Sequence, residues 1–272
     1  MEEKFSRYYS NLKSFVARGL RTYFGKIQFV GYDEYGKGEG ALVFAANHQN
    51  TFLDPILIGA FTEKKRQASY ITRADVFQNK YADAFFRSIK MVPIYRQRES
   101  GSRSVALNQQ AFKVYTERLG KQGAMIIFPE GNHAREYRLR PLKKGLPRIV
   151  FQTLKEHGRD LPFSIVPVGI TYGHHDKYDT DALINYGPPI RAQDFLKEYD
   201  TNPQKGLIAM RDVLQEAMQK LVIHIQDENY DTVNALRHHF GGEVAVGMGL
   251  HPSMPHDRFR GEKRVIAAAA AH

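Results

Sequence analysis

The sequence contains no cysteine and no apolar run long enough to cross a membrane. Without cysteine there is no disulfide framework, no thiolate metal site and no cysteine nucleophile. The apolar runs are short, for example the six residues 41–46 that stop at Asn47, whereas a membrane-spanning helix needs about 20 apolar residues. The first residues are charged and contain no apolar signal region. These absences favour a cytosolic or peripheral protein with no transmembrane span.

Acidic residues are fewer than basic residues: the sequence has 29 aspartates and glutamates and 39 lysines and arginines, which gives a formal net charge of +10. A basic balance of this size indicates an anionic partner: a nucleic acid, an acidic membrane surface or a phosphorylated small molecule. The sequence has no helix-turn-helix, zinc-finger or RNP-type signature, so we expect no nucleic-acid partner. Hydrophobic residues make up 42% of the chain, which is enough to bury a sizeable core.

Between residues 27 and 195, strand-like apolar runs alternate with helical stretches. The predicted strands are residues 27–32, 42–46, 69–72, 91–95, 124–128 and 164–171. The predicted helices between them are residues 55–65, 79–90, 103–121 and 145–157. Several of these strands are continuously apolar, as strands covered by helices on both faces usually are. The pattern predicts an α/β core with a largely parallel sheet flanked by helices.

Both ends of the chain lie outside this alternation. Residues 1–26 predict a basic amphipathic helix, because apolar side chains recur at helical spacing among lysines and arginines. Such a helix either packs on the core with a solvated basic face or lies in a lipid headgroup region. Residues 196–240 predict further helices, one of them with methionines as core filler. Residues 241–272 show no periodicity and are expected to be irregular, with a final alanine run that resembles a cloning remnant.

Four blocks of polar and turn-forming residues coincide with predicted strand ends, where open α/β sheets place their sites. In the first block, His48 comes shortly after the strand 42–46. An imidazole there can take a proton from a hydroxyl near neutral pH. Asp54 is the nearest carboxylate in the sequence, and a carboxylate can hold the imidazole in one tautomer. Asp54 also precedes Pro55, so it can equally be the N-cap of a helix.

The other blocks supply positive charge, a carboxylate and a glycine. Arg96 follows the fourth predicted strand, where a guanidinium can hold a phosphate through two hydrogen bonds. Glu130 and Gly131 follow the fifth, and the glycine lets backbone approach a ligand. Further basic residues lie downstream, at Arg138, Arg140, Lys143 and Lys144. The His-His-Asp sequence at residues 174–176 has no spaced partner pair, so we expect no metal site.

In this order and spacing, the four blocks resemble the four motifs of the lysophospholipid acyltransferase family, which includes bacterial glycerol-3-phosphate and 1-acylglycerol-3-phosphate acyltransferases. The blocks are residues 47–54, 92–96, 128–131 and 166–168. The likeness runs from about residue 27 to residue 172 and includes the flanking segments 72–75 and 142–145. Neither a G-x-S-x-G nucleophile elbow nor a G-x-x-x-x-G-K-[ST] phosphate loop occurs, which agrees with this resemblance.

The resemblance implies an enzyme in which His48 deprotonates an acceptor hydroxyl while Asp54 holds the imidazole. The hydroxyl would attack an acyl-CoA or acyl-carrier-protein thioester directly, without an acyl-enzyme, and no cofactor is implied. Arg96, Glu130 and Gly131 match positions that bind the glycerol phosphate of the acceptor. Residues 166–168 match the motif associated with the acyl-binding side.

Three further residues of the matched segments are candidates for substrate binding: Asn47, Arg73 and Lys144. Either Lys144 or a backbone amide would stabilise the oxyanion. One feature departs from the commonest family pattern, because five residues instead of four separate His48 from Asp54. We interpret this as a subfamily with a slightly longer loop.

The resemblance leaves several alternatives for function. The first expectation is acylation of 1-acylglycerol-3-phosphate to phosphatidic acid by a peripheral protein on the cytoplasmic face of a membrane. Within the same chemistry, the acceptor is alternatively glycerol-3-phosphate or a hydroxylated aminolipid precursor. A non-enzymatic alternative is a peripheral protein that binds lipid without turnover. The donor is acyl-CoA or acyl-carrier protein, and the membrane surface is an expected partner.

Overall fold

The computed structural model describes residues 6–36, 39–62, 67–77, 79–94, 103–175, 177–226 and 228–271, without the side chains of residues 73 and 103–107. These residues form an eight-stranded sheet, mostly parallel, with helices packed against both of its faces. The predicted α/β class is therefore confirmed. The six predicted strands all occur, with ends that differ by one or two residues, and the helix predicted at 145–157 has those bounds.

The strands are β1 Lys26–Val30, β2 Ala41–Ala46, β3 Ser69–Arg73, β4 Met91–Ile94, β5 Ala124–Ile127, β6 Phe163–Tyr172, β7 Asp181–Tyr186 and β8 Ile190–Arg191. The helices are α1 Arg7–Tyr23, α2 Tyr32–Tyr35, α3 Leu53–Phe61, α4 Lys80–Ser88, α5 Arg103–Gly120, α6 Gly145–His157, α7 Leu196–Thr201, α8 Pro203–Leu221, α9 Tyr230–Gly247 and α10 Pro255–Ala269. Two short 3-10 segments, Ala74–Val76 and Ala192–Phe195, join them. The sequence prediction did not include β7, which has six residues, or β8, which has two.

The strand order across the sheet is β1-β7-β6-β2-β5-β3-β4, and β8 pairs with β6. Strands β2 to β6 run parallel to one another, whereas β7 and β8 run antiparallel to β6. The central strand β2 is hydrogen-bonded to β5 on one side and β6 on the other. The carboxyl ends of β2, β5 and β6 therefore meet at one edge of the sheet, which positions the loops that follow them.

Strand β2 is buried at all six of its residues because its two faces contact two different cores. Ala41, Val43 and Ala45 face a core completed by α5, α6 and α8. Residues 42, 44 and 46 face the opposite core, completed by α1 and α3. This is why the strand reads as continuously apolar instead of alternating.

Helix α1 begins after Ser6, whose side chain caps it by accepting a hydrogen bond from the Tyr9 N–H. Its buried side includes Tyr9 and Leu20, which pack against the α3 side of the sheet. Lys13, one of the lysines interleaved with the apolar positions of this helix, is buried and donates to the hydroxyl of Thr62 at 2.8 Å. None of the helices in the described part of the chain is long and apolar enough to span a membrane.

The segment expected to be irregular is helical in large part, so that prediction was wrong: α9 extends to Gly247 and α10 covers Pro255–Ala269. The buried residues of α9 are Val233, Arg237, Gly241 and Ala245, which do follow helical spacing. They are small or charged, however, and a search for apolar periodicity overlooks them. Gly261 lies so close to Gly241 that a Cβ at position 261 would be 2.1 Å from the Gly241 carbonyl oxygen.

Candidate active site

His48 and Asp54 lie at the carboxyl end of β2 and form a direct hydrogen bond. His48 Nδ1 is 2.8 Å from Asp54 Oδ2, and the Asp54 side chain is fully buried. The five-residue spacing folds into a turn around the carboxylate, because the N–H groups of Gln49 and Asn50 both donate to Asp54 Oδ2 at 2.7 Å. The longer loop therefore keeps the pair together.

The structure rules against Asp54 as a helix N-cap. Helix α3 begins at Leu53, so Asp54 lies within its first turn, and the cap position is held by Phe52. The Asp54 carboxylate accepts N–H groups of the preceding loop. The alternative that Asp54 only caps a helix is therefore wrong.

Tyr172, the last residue of β6, completes the surroundings of Asp54. Its hydroxyl donates to Asp54 Oδ1 at 2.6 Å, and the side chain is 1% exposed. Burial, together with the nearby Asp54 charge, raises the pKa of the Tyr172 hydroxyl well above its usual value, so it stays protonated and donates. Sequence reasoning missed this residue because the predicted strand ended at residue 171. A polar aromatic at the end of a central strand was the available signal.

The His48 ring is held on its face by Phe128. The two rings are stacked, with centroids 4.1 Å apart and an interplanar angle of 19°. His133 approaches the same imidazole edge-on at 5.6 Å. With Nδ1 directed at Asp54, the other nitrogen, Nε2, is the one that can accept a proton from a substrate.

Glu130 and Gly131 follow β5 in a tight turn beside His48. Glu130 Oε1 accepts the His48 N–H at 2.8 Å, while Oε2 accepts the Arg140 N–H at 3.1 Å and Arg140 Nε at 3.0 Å. The carboxylate thus ties the His48 loop to the segment that follows the turn. Gly131 has a φ of 75°, and a Cβ there would lie 3.2 Å from Lys143 Cε, so glycine leaves room for this lysine.

Two of the predicted binding residues have other partners in the structure. Asn47 is buried, and its side-chain Nδ2 donates to the Ile170 carbonyl in β6 at 2.9 Å, while its Oδ1 accepts the Ile170 N–H at 2.7 Å. The amide therefore joins the end of β2 to β6. Lys144 immediately precedes α6, and its ammonium donates to Gln204 at 3.3 Å. The basic side chains that lie at the Glu130–Gly131 turn are those of Arg140 and Lys143.

The remaining predicted residues are Arg73, Arg96 and the block 166–168. Arg73 ends β3, and its side chain lies outside the described part of the structure, as does Arg96 as a whole. Residues 166–168 were expected at a strand end, but they lie inside β6. Val166 and Val168 are fully buried and pair with β2, so this block belongs to the core beneath the site.

The segment from residue 132 to residue 144 is fastened to helix α8, to the first residue of α9 and to the segment between these two helices. Leu139 N–H donates to His224 Nδ1 at 2.9 Å, and Leu142 N–H donates to Gln215 Oε1 at 2.9 Å. Tyr137 N–H donates to the Tyr230 hydroxyl at 2.8 Å. Burial, with Arg138 and Lys263 nearby, lowers the pKa of His224, which keeps its ring neutral and able to accept.

Comparison with known proteins assigns the chain to a family. The family model described as Acyltransferase matches residues 26–171. An uncharacterized acyltransferase of Schizosaccharomyces pombe is 25% identical over 162 residues, which cover 58% of this chain and 24% of the yeast protein. Glycerol-3-phosphate O-acyltransferase 1 of Saccharomyces cerevisiae is 28% identical over 120 residues, 43% of this chain and 15% of that protein. The chain therefore spans a quarter or less of the length of these relatives.

Among solved structures, the 1-acyl-sn-glycerophosphate acyltransferase PlsC of Thermotoga maritima has a similar fold. The match has a TM-score of 0.56 and 19% identity, and it covers 78% of this chain and 79% of that one. At this identity the likeness concerns the fold.

Proposed function

The chain belongs to the acyltransferase family, and from this premise we propose that it transfers a fatty acyl group from a thioester to the hydroxyl of a phosphorylated lipid precursor. The observation that carries the proposal is the 2.8 Å hydrogen bond between His48 and the buried carboxylate of Asp54. A buried carboxylate fixes the tautomer of an adjacent imidazole and stabilises the cation that forms during proton transfer.

In the proposed reaction, His48 Nε2 takes the proton of the acceptor hydroxyl as its oxygen attacks the carbonyl carbon of the thioester. The new C–O bond forms, the C–S bond breaks, and the departing sulfur takes the proton back from His48. Tyr172 and two backbone N–H groups hold the Asp54 carboxylate in place by hydrogen bonds. Phe128 restricts the imidazole to the orientation in which Nε2 faces the acceptor.

The proposed acceptor carries a phosphate. Arg140 and Lys143 lie at the Glu130–Gly131 turn, and the Glu130 carboxylate contacts both Arg140 and the His48 N–H. A phosphate bound by these two basic residues therefore brings a neighbouring hydroxyl toward the imidazole. A guanidinium is well suited to this because it can donate two parallel hydrogen bonds. We take 1-acylglycerol-3-phosphate as the first candidate and glycerol-3-phosphate, which the name of a yeast relative contains, as the second.

The test is thiol release from palmitoyl-CoA with and without each acceptor, on the wild type, His48→Ala and His239→Ala. His239 is an exposed histidine on α9 and serves as the matched control. The chain has no cysteine, so a thiol reagent detects only the product. We expect acceptor-dependent release that falls by about a hundredfold or more in His48→Ala and is unchanged in His239→Ala. Equal rates in all three proteins would refute His48 as the base.

A non-catalytic lipid-binding protein is the competing proposal from another class. It predicts binding of the acceptor lipid without thiol release from acyl-CoA or from acyl-carrier protein. The buried, fully bonded Asp54 beside His48 favours catalysis, because lipid binding alone gives no reason to orient an imidazole.

We also propose that α1 contacts the membrane surface. Its outward side carries Tyr8, 54% exposed, and Phe15, 74% exposed, together with the exposed arginines Arg7 and Arg18. Aromatic and basic side chains on one helix face suit a lipid headgroup region. We expect the variant with Tyr8→Ser and Phe15→Ser to float less with anionic vesicles, whereas Tyr178→Ser, another exposed tyrosine, floats like wild type.

A further inference from the structure

A cavity of about 440 Å³ lies between helix α8 and the segment 132–144, which is called the acceptor-side loop below because it contains Arg140 and Lys143. Its walls come from the loop at residues 138–142, from α8 and from the segment that follows α8. The volume is in the range of sites that hold small organic molecules, about 300–1,000 Å³. The family match ends at residue 171, so α8 and the segment after it lie outside the matched region.

A short chain of hydrogen bonds connects the cavity wall to His48. Leu139 and Pro141 line it, and Arg140 stands between them. The Arg140 N–H donates to one oxygen of Glu130, whose other oxygen accepts the His48 N–H. The Glu130 carboxylate therefore links the loop that forms one wall of the cavity to the backbone of His48, the proposed base.

The lining combines three kinds of group. Arg138 and Arg211 supply two guanidinium groups against one carboxylate, Asp212, which pairs with Arg211 at 2.7 Å. Three glutamine side chains and the apolar carbons of Leu139, Pro141 and Leu142 make up most of the rest. Gln215 accepts the Leu142 N–H through Oε1, which leaves its NH2 group as a donor for a ligand. A ligand that fits has a phosphate, amide groups and short apolar stretches between them.

We propose that this cavity binds the phosphopantetheine arm of the thioester donor. The arm carries a phosphate, a branched apolar unit and two amides before the sulfur, and the lining can pair with each of these parts. Arg140 and Lys143 serve the acceptor phosphate at the Glu130–Gly131 turn, so the two substrates would meet at His48 from different sides of the acceptor-side loop. This inference rests on the proposed acyl transfer and assigns the donor side of the site. Both acyl-CoA and acyl-carrier protein carry the arm.

The kinetic test compares donors with and without the arm. Palmitoyl-CoA contains it, and the palmitoyl thioester of N-acetylcysteamine keeps the reacting end but lacks the phosphate and one amide. The variants are Arg211→Gln and Gln219→Leu, which change cavity-lining residues of α8. The matched control is Lys205→Gln, which removes an exposed positive charge from the same helix outside the cavity.

We expect each cavity variant to raise the KM for palmitoyl-CoA by about tenfold or more, since each loses polar contacts to the arm. With the truncated thioester, the same variants should match wild type, and Lys205→Gln should match wild type with both donors. Wild-type KM values for palmitoyl-CoA in the cavity variants, or equal losses with both donors, would overturn the assignment.

Two further experiments are needed. The first distinguishes the possible sources of the ligand, and the second distinguishes failure of this inference from failure of the proposed function. Palmitoyl-carrier protein and palmitoyl phosphopantetheine should show the same variant effects as palmitoyl-CoA, and an effect confined to palmitoyl-CoA would place the nucleotide, not the arm, in the cavity. Free 4′-phosphopantetheine is titrated into the protein in a calorimeter, with no acyl group or acceptor present. We expect binding that Arg211→Gln weakens and Lys205→Gln does not. This binding experiment tests the inference even if no acceptor is turned over. Absence of phosphopantetheine binding to the wild type would overturn the inference about the cavity without overturning the proposed acyl transfer.

Discussion

Two buried carboxylates, one at the sheet edge and one between the C-terminal helices, are stabilised in opposite ways. Asp54 is held by neutral donors, namely a tyrosine hydroxyl and two backbone N–H groups, and its remaining contact is the His48 imidazole. Glu262 of α10 is instead paired with the guanidinium of Arg237 at 2.6 Å. A carboxylate that a permanent cation neutralises has little charge left to act on an imidazole. Neutral donors keep the charge in place and leave it available to His48.

The strongest test of this contrast changes each carboxylate to its amide. Asp54→Asn should lower kcat by about a thousandfold or more, because the amide can no longer fix the productive tautomer of His48. The measurement is initial-rate thiol release, with circular dichroism to establish that the variant is folded. If Asp54→Asn kept wild-type kcat, Asp54 would be structural in the same sense as Glu262.

The converse change, Glu262→Gln, should act on stability and not on turnover. It leaves the buried Arg237 without a charged partner, and we expect a loss of about 3 kcal/mol in the free energy of unfolding. Urea denaturation gives this value, and kcat per folded molecule should stay within about twofold of wild type. A fall in kcat comparable with that of Asp54→Asn would remove the distinction between the two carboxylates.

A smaller effect is expected at the tyrosine that distinguishes the Asp54 site. Tyr172→Phe removes one donor to a buried charge, a hydrogen bond of about 1.5–3 kcal/mol, while the ring still fills its place. We expect kcat to fall about tenfold and the acidic limb of the kcat profile to move, because the tautomer and basicity of His48 depend on Asp54. Tyr199→Phe, on α7, is the matched control. An unmoved pH profile would make Tyr172 a packing residue only.

The smallest effect is a loss of stability at alkaline pH. The pKa of buried Tyr172 is raised, so the unfolded chain releases this proton at lower pH than the folded protein does. The stability contributed by the neutral hydroxyl is therefore full below the ordinary tyrosine pKa of about 10 and is lost as the pH rises above it. Tyr172→Phe should show a shallower fall in the unfolding free energy between about pH 10 and 11 than wild type. Equal slopes would contradict this.

The sequence was sufficient for the parts of the fold in which side-chain chemistry follows a simple period. The apolar run at residues 41–46 predicted a strand buried on both faces, and helix α6 was predicted with its observed bounds. The sequence prediction missed the end of helix α9, because most of the buried positions of this helix are occupied by glycine, alanine and arginine. Their burial depends on the close approach of α10, which is a tertiary contact that local pattern does not contain.

For the site, the sequence identified residues but not all of their partners. His48 and Asp54 do meet, and Glu130 lies beside them. Asn47 was a candidate for substrate binding as part of the first matched block, and in the structure its amide pairs with β6. Tyr172 lies 118 positions from Asp54 in the chain, so only the pairing of β2 with β6 brings the two together. The roles of these residues in turnover remain predictions.

Three elements outside the connecting loop help to hold His48 and Asp54 in place. Phe128 orients the imidazole from the β5 side, Tyr172 fixes the carboxylate from β6, and α3 carries Asp54. The loop adds the N–H groups of Gln49 and Asn50 to the Asp54 carboxylate, and the buried side chain of Gln49 donates to the Glu136 carbonyl at 3.0 Å. Its two exposed residues, 51 and 52, are therefore the ones that can be exchanged without displacing the proposed proton-transfer pair. Phe52, 71% exposed within this loop, occupies a position where relatives can diverge in what they present to the solvent or to a lipid.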